Sequence, residues 1–135
     1  MASDPRAAVR AYHDAWTSGD IERAGRVLAD EVANPTPLNG YSQAGQARAG
    51  YLEDLRRFAA IVTGTILISE LYGADEATLV YDVLTTVPVG WIRTAEHFRL
   101  REGRIISSIL IFDATAWNAL KRPATADAGS QNAPG

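Results

Sequence analysis

The sequence predicts an α+β fold: a curved antiparallel or mixed sheet with its helices gathered on one face. Two observations carry this. Three early segments place apolar residues at helical spacing, and from Thr65 onward the apolar period becomes two. The four period-two segments are joined by short turns, and no internal repeat divides the chain. Helices that precede a run of hairpin strands pack on one side of the sheet. That leaves a blind cavity between the two layers, lined by both.

The elements follow in order. Asp4 is placed to cap a first helix, with Pro5 at its first position. Val9, Tyr12, His13 and Trp16 form its inner stripe, and Ser18-Gly19 ends it. Asp20 caps a short second helix over 21–28, with Ile21, Ala24, Val27 and Leu28 inward. Two prolines and a glycine in 34–40 exclude helix there, and a strand within 32–41 would add an edge to the sheet. Residues 43–61 read as a third helix, with Ala47, Tyr51, Leu55 and Phe58 on the apolar side and Arg48, Glu53, Arg56 and Arg57 outside. Strands are expected over 65–72, 77–87, 91–101 and 105–112. Their turns fall at Gly73-Ala74-Asp75-Glu76, Pro88-Val89-Gly90 and Glu102-Gly103-Arg104. Asp113 is positioned to cap a closing helix over 114–120. Residues 1–121 are expected to form one domain. Residues 122–135 are small and polar and read as a disordered tail.

The bulk properties narrow the function. A chain of 135 residues suits one core, and 47% hydrophobic and 21% charged residues are ordinary for a globular protein. A net charge of −3, with no long Lys/Arg run, argues against a nucleic-acid partner. Without cysteine, disulfides, thiolate catalysis and Cys-ligated metal centres are excluded. The two histidines lie far apart without metal-ligand spacing, and no Gly-rich phosphate loop or nucleotide fingerprint occurs, so neither metal nor cofactor is expected. No apolar run reaches the ~20 residues of a membrane-spanning helix, and the N-terminus does not read as a signal peptide, so a cytoplasmic location is expected.

Glu96 stands out. In the strand over 91–101, Ile92, Thr94, Glu96, Phe98 and Leu100 share one side. Trp91, Arg93, Ala95, His97, Arg99 and Arg101 share the other. A carboxylate therefore sits in the middle of an apolar face. Burial penalises its charged form and raises its pKa, which suits a carboxyl group for proton transfer or hydrogen-bond donation. The competing reading is a salt bridge to an arginine at the sheet edge. His97, although adjacent, points to the opposite side.

Three segments carry a family resemblance. They are Tyr12-His13-Asp14-Ala15-Trp16-Thr17-Ser18-Gly19-Asp20-Ile21-Glu22, Asn34-Pro35, and Ala95-Glu96-His97-Phe98-Arg99-Leu100-Arg101-Glu102-Gly103-Arg104-Ile105. In order and spacing they resemble the nuclear transport factor 2-like superfamily, which includes ketosteroid isomerases and SnoaL-like polyketide cyclases. The resemblance runs from about Arg6 to Leu120. It implies a cone: a strongly curved sheet wrapping three N-terminal helices around an apolar pocket. It also implies that Tyr12 and Glu96 match the tyrosine and acid that bind an oxyanion in the isomerase. At the place of the isomerase's basic aspartate this chain has Asn34, and an amide takes no proton at neutral pH. The limonene epoxide hydrolase branch needs a strand aspartate where this chain has Leu110, and Asp82 faces away from Tyr81 and Val83.

The expected function is therefore a cofactor-free isomerase, cyclase or dehydratase. It would act by proton transfer on a hydrophobic carbonyl compound, polyketide- or steroid-like. Tyr12 and Glu96 would hold its oxygen. His13 is either a packed core residue or the base. Asp113 is either a helix cap or a second carboxylate at the rim. Asn34 is either a turn residue or a polar contact to ligand. Trp16, Tyr51, Phe58, Tyr81, Val83, Phe98 and Phe112 are the candidate ligand-binding residues, and core packing claims some of them. The resemblance places a homodimer contact on the outer sheet face, at Trp91, Arg93, His97 and Arg99. The alternative is a non-catalytic ligand-binding or assembly module of the same fold.

Overall fold

The computed structural model describes residues 4–86 and 90–121. The expected turn at Pro88-Val89, the end of the second expected strand at Val87 and the expected tail 122–135 lie outside the described residues.

Helix α1 spans Pro5–Thr17, and Asp4 caps it by accepting a hydrogen bond from the Ala7 amide. Gly19 leaves the helix at φ 88°, a conformation glycine adopts without strain. The Asp20 side chain then accepts from the Arg23 amide and starts α2, Ile21–Gly25. This helix is shorter than its sequence suggests because residues from Leu28 onward are extended. Strand β1, Leu28–Ala33, runs parallel to the last strand, and β2, Gly45–Ala47, pairs antiparallel with β1. Helix α3 consequently begins at Arg48 and ends at Ala59. Strands β3 (Val62–Tyr72), β4 (Glu76–Thr85), β5 (Trp91–Arg101) and β6 (Arg104–Ile111) form an antiparallel meander. Glu102 and Gly103, both at positive φ, make the tight turn between β5 and β6. Helix α4 spans Thr115–Lys121.

The six strands make one mixed sheet in the order β2-β1-β6-β5-β4-β3. Register shifts interrupt the β1–β6, β3–β4 and β5–β6 pairings, and bulges of this kind bend a sheet. The curved, unclosed sheet carries the helices on its concave side. Val9, Ala15, Leu28, Leu79, Phe98 and Ile105 are wholly buried between them. Strand β5 alternates as its sequence predicts, with Ile92, Thr94, Glu96, Phe98 and Leu100 all inward.

The outer face of the sheet carries both charged and apolar groups. Arg93 forms a two-point ion pair with Asp82 at 2.8 and 2.9 Å, and His97 lies 3.2 Å from Glu76. Arg99 is exposed on the same face, and exposed apolar groups stand beside these polar ones: Ile66, Ile68, Leu71, Trp91 and Ile111. Among the described residues no helix is long and apolar enough to cross a membrane.

Candidate active site

Two connected chambers open between the concave sheet and the helices. The inner one, about 110 Å³, is lined by Tyr12, Trp16, Tyr51, Leu55 and Glu96. The outer one, about 330 Å³, is lined mainly by apolar groups, with Val83, Ile92, Phe112 and Trp117 among them. Asn34, Asp54, Phe58, Tyr81 and Leu110 touch both, so they form the neck.

Polar chemistry concentrates at the inner end. Glu96, 2% exposed, accepts from the Tyr81 hydroxyl at Oε1 (2.7 Å) and from the Ser108 hydroxyl at Oε2 (2.5 Å). The Tyr12 and Tyr51 hydroxyls meet at 2.6 Å. Strand register makes the Glu96 contacts. Glu96 lies opposite Leu79 on β4 and Leu110 on β6, so Tyr81 and Ser108 stand one inward position away along those strands. The expected alternative, an arginine partner, is replaced by two neutral hydroxyls.

The electrostatics follow from burial. Desolvation pushes the Glu96 carboxyl up to about 7, and the Ser108 and Tyr81 hydrogen bonds pull it back only in part. Desolvation likewise drives Tyr12, Tyr51 and Tyr81 well above the ordinary phenol value, with Tyr51 and Glu96 adding to the rise at Tyr12. These phenols stay protonated and act as hydrogen-bond donors. Glu96 populates both forms near neutrality. Ionised, it accepts from Tyr81 and Ser108. Protonated, it donates through one oxygen and frees a hydroxyl proton to turn toward the chamber.

The other candidates sit as follows. Trp16, Tyr51, Phe58, Tyr81, Val83 and Phe112 line one chamber or both. Phe98 does not. It is fully buried against Tyr12, their ring centres 5.7 Å apart, and belongs to the closed core. His13 is not among the lining residues either. It packs edge-on to Tyr81 at 4.9 Å and to Trp16 at 5.8 Å, its Nδ1 is buried without a partner, and desolvation lowers its pKa. That setting fits the packed-core alternative better than the base. Asp113 is exposed just before α4, where it accepts from the Thr115 amide and hydroxyl. Asn34 donates from Nδ2 to the Ser108 carbonyl at 2.7 Å, tying the loop after β1 to β6 while lining the neck.

Sequence reasoning missed Ser108, Asp54, Leu110 and Trp117. Asp54 carried a legible signal, since it follows Tyr51 by three and precedes Phe58 by four, which places it on the same side of α3. Ser108 is the inward member of the Ser107-Ser108 pair in a strand rich in isoleucine. Among the described residues no group of three or more His, Asp or Glu is placed to hold a metal.

A profile of the SnoaL-like domain matches residues 9–108. The chain belongs to the SnoaL-like family of the nuclear transport factor 2-like superfamily. A solved protein from Kribbella flavida is 28% identical, with a TM-score of 0.74 over 87% of this chain and 93% of its own. A nuclear transport factor 2-like protein of unknown function from Cytophaga hutchinsonii is 15% identical, with a TM-score of 0.72 over 87% and 97%. A second Kribbella flavida protein, named as a candidate ketosteroid isomerase, is 18% identical, with a TM-score of 0.63 over 81% and 77%. At such identities the last two speak for the fold alone. No curated protein sequence matches the chain.

Proposed function

We propose that this SnoaL-like protein is an enzyme that moves a proton on an apolar carbonyl compound, in an isomerisation, cyclisation or dehydration. The observation that carries this is Glu96: a carboxyl group poised near neutrality at the closed end of an apolar cavity, with three phenols and a serine around it. The apolar outer chamber takes a polycyclic, polyketide- or steroid-like body, and the inner chamber takes its oxygen. Tyr12 and protonated Glu96 share the developing negative charge, and each such donor contributes ~10²–10³ in rate. In the same proposal two copies associate through the outer sheet face, covering Ile66, Ile68, Trp91 and Ile111. Binding without turnover is the second reading, favoured by the structural engagement of Asn34 where the isomerase keeps its base.

The test uses 2-tetralone, a bicyclic ketone with acidic α-hydrogens, in deuterated buffer. The protein is expected to accelerate hydrogen–deuterium exchange at C1, followed by NMR. Glu96→Gln and Tyr12→Phe should each slow it by ~10²-fold or more. A folded protein that binds 2-naphthol, the aromatic analogue of the tetralone enol, and leaves the exchange rate at that of buffer would refute catalysis and favour the binding module.

A further inference from the structure

Of the residues lining the two chambers, two are carboxylates: Glu96 on the inner wall and Asp54 at the neck. Their surroundings are opposite. Glu96 is enclosed by hydroxyls, whereas the Asp54 side chain is 62% exposed at the cavity mouth, its Oδ1 held by Arg57 Nη1 at 3.0 Å. Its Oδ2 meets only the Gln46 amide nitrogen, at the long distance of 3.5 Å. Tyr51, Asp54 and Phe58 lie on one stripe of α3, so the helix that presents a phenol to the inner end presents this carboxylate one turn further out.

We propose that Asp54 is the general base of the site, an assignment that rests on the proton-transfer reading given above. A carbonyl oxygen held at the inner end by Tyr12 and Glu96 places its α-carbon at the neck. Asp54 Oδ2 takes the α-proton. The C–H electron pair becomes the C=C bond of the enolate, and the carbonyl π pair moves onto the oxygen held by the two inner donors. The Asp54 carboxylic acid then returns the proton to the same carbon or to another carbon of the conjugated system, which restores the carboxylate. Nothing is oxidised or reduced. Arg57 is a positioning residue that fixes Oδ1 and leaves Oδ2 with the long Gln46 contact alone. The arrangement answers the problem posed by Asn34: the base has moved from the loop after β1 to α3. Exposure of Asp54 lets it exchange protons with water between turnovers.

The experiment compares wild type, Asp54→Asn, Asp54→Ser and Glu96→Gln for 2-tetralone exchange, with 2-naphthol affinity measured by calorimetry on the same samples. Loss of a general base is expected to slow exchange by ~10²–10⁴-fold in both Asp54 variants, with 2-naphthol affinity within about twofold of wild type. Two substitutions guard against one of them failing to fold. Wild-type exchange in the Asp54 variants together with its loss in Glu96→Gln would overturn the Asp54 assignment and leave the proposed function standing. Loss of 2-naphthol binding along with exchange in both Asp54 variants would also overturn it, since Asp54 would then shape the cavity. No acceleration by wild type would remove the proposed function itself.

Discussion

Replacing Glu96 by glutamine tests the central feature through stability alone. The amide keeps the shape, accepts from Tyr81 at its oxygen and donates to Ser108 from its nitrogen, so the network survives. What changes is titration. The folded protein holds the Glu96 carboxyl at about 7, raised from 4.5, so between those values the native state binds a proton that the unfolded chain has released. The stabilisation by protonated Glu96 is therefore complete below pH 4.5 and is lost as the pH rises through about 7. The whole span corresponds to about 3 kcal/mol, an order-of-magnitude figure from the gap between 4.5 and about 7. His13, lowered by burial, works in the opposite sense over part of this range, and Glu70, Asp82 and Asp113, all held low by hydrogen bonds, act only in acid. These groups are common to both proteins, so they drop out of the difference. The assay is urea unfolding of wild type and Glu96→Gln at several pH values from 5 to 8.5. Wild type should lose about 1 kcal/mol per pH unit relative to the variant up to near pH 7, then level off. Parallel curves would refute the reasoning, because they would mean that Glu96 has the same proton affinity folded and unfolded.

Two further outcomes are expected. Asn34→Asp places a carboxylate against the Ser108 carbonyl in place of an amide donor, and should cost about 1–3 kcal/mol at pH 7, with the loss smaller at pH 4 where the acid can donate; thermal unfolding at the two pH values checks both sign and trend. Ile111→Glu and Trp91→Glu, at outer-face positions that are each 54% exposed, should shift a wild-type dimer to monomer in sedimentation velocity, and a monomeric wild type would refute the proposed interface.

Much of the local structure was legible because it is short-range physics. Asp4 and Asp20 cap their helices through amides three residues on, and Gly19 supplies the positive φ between them. Strand β5 was read residue for residue, since a two-residue period sorts its side chains without reference to any neighbour. Errors arose where a segment's state depends on distant partners. Leu28 continues a helical stripe in sequence, yet it pairs with Ile105, and Gly45–Ala47 is extended because β1 lies beside it. Phe98 shows the same limit on the sheet face. Its inward direction was fixed by alternation, but only the position of Tyr12 over it decided that it closes the core rather than lining the cavity.

The sequence by itself determined that a carboxyl group would face inward on β5, because alternation is a property of one strand. Tertiary structure decided what that carboxyl group is. Tyr81 and Ser108 come from strands on either side of it, and Tyr12 and Tyr51 from two helices packed over the sheet. Their hydrogen bonds and the shared exclusion of water set the Glu96 proton affinity near neutrality. Desolvation depends on every group that surrounds an atom, and a one-dimensional pattern records only the neighbours along the chain.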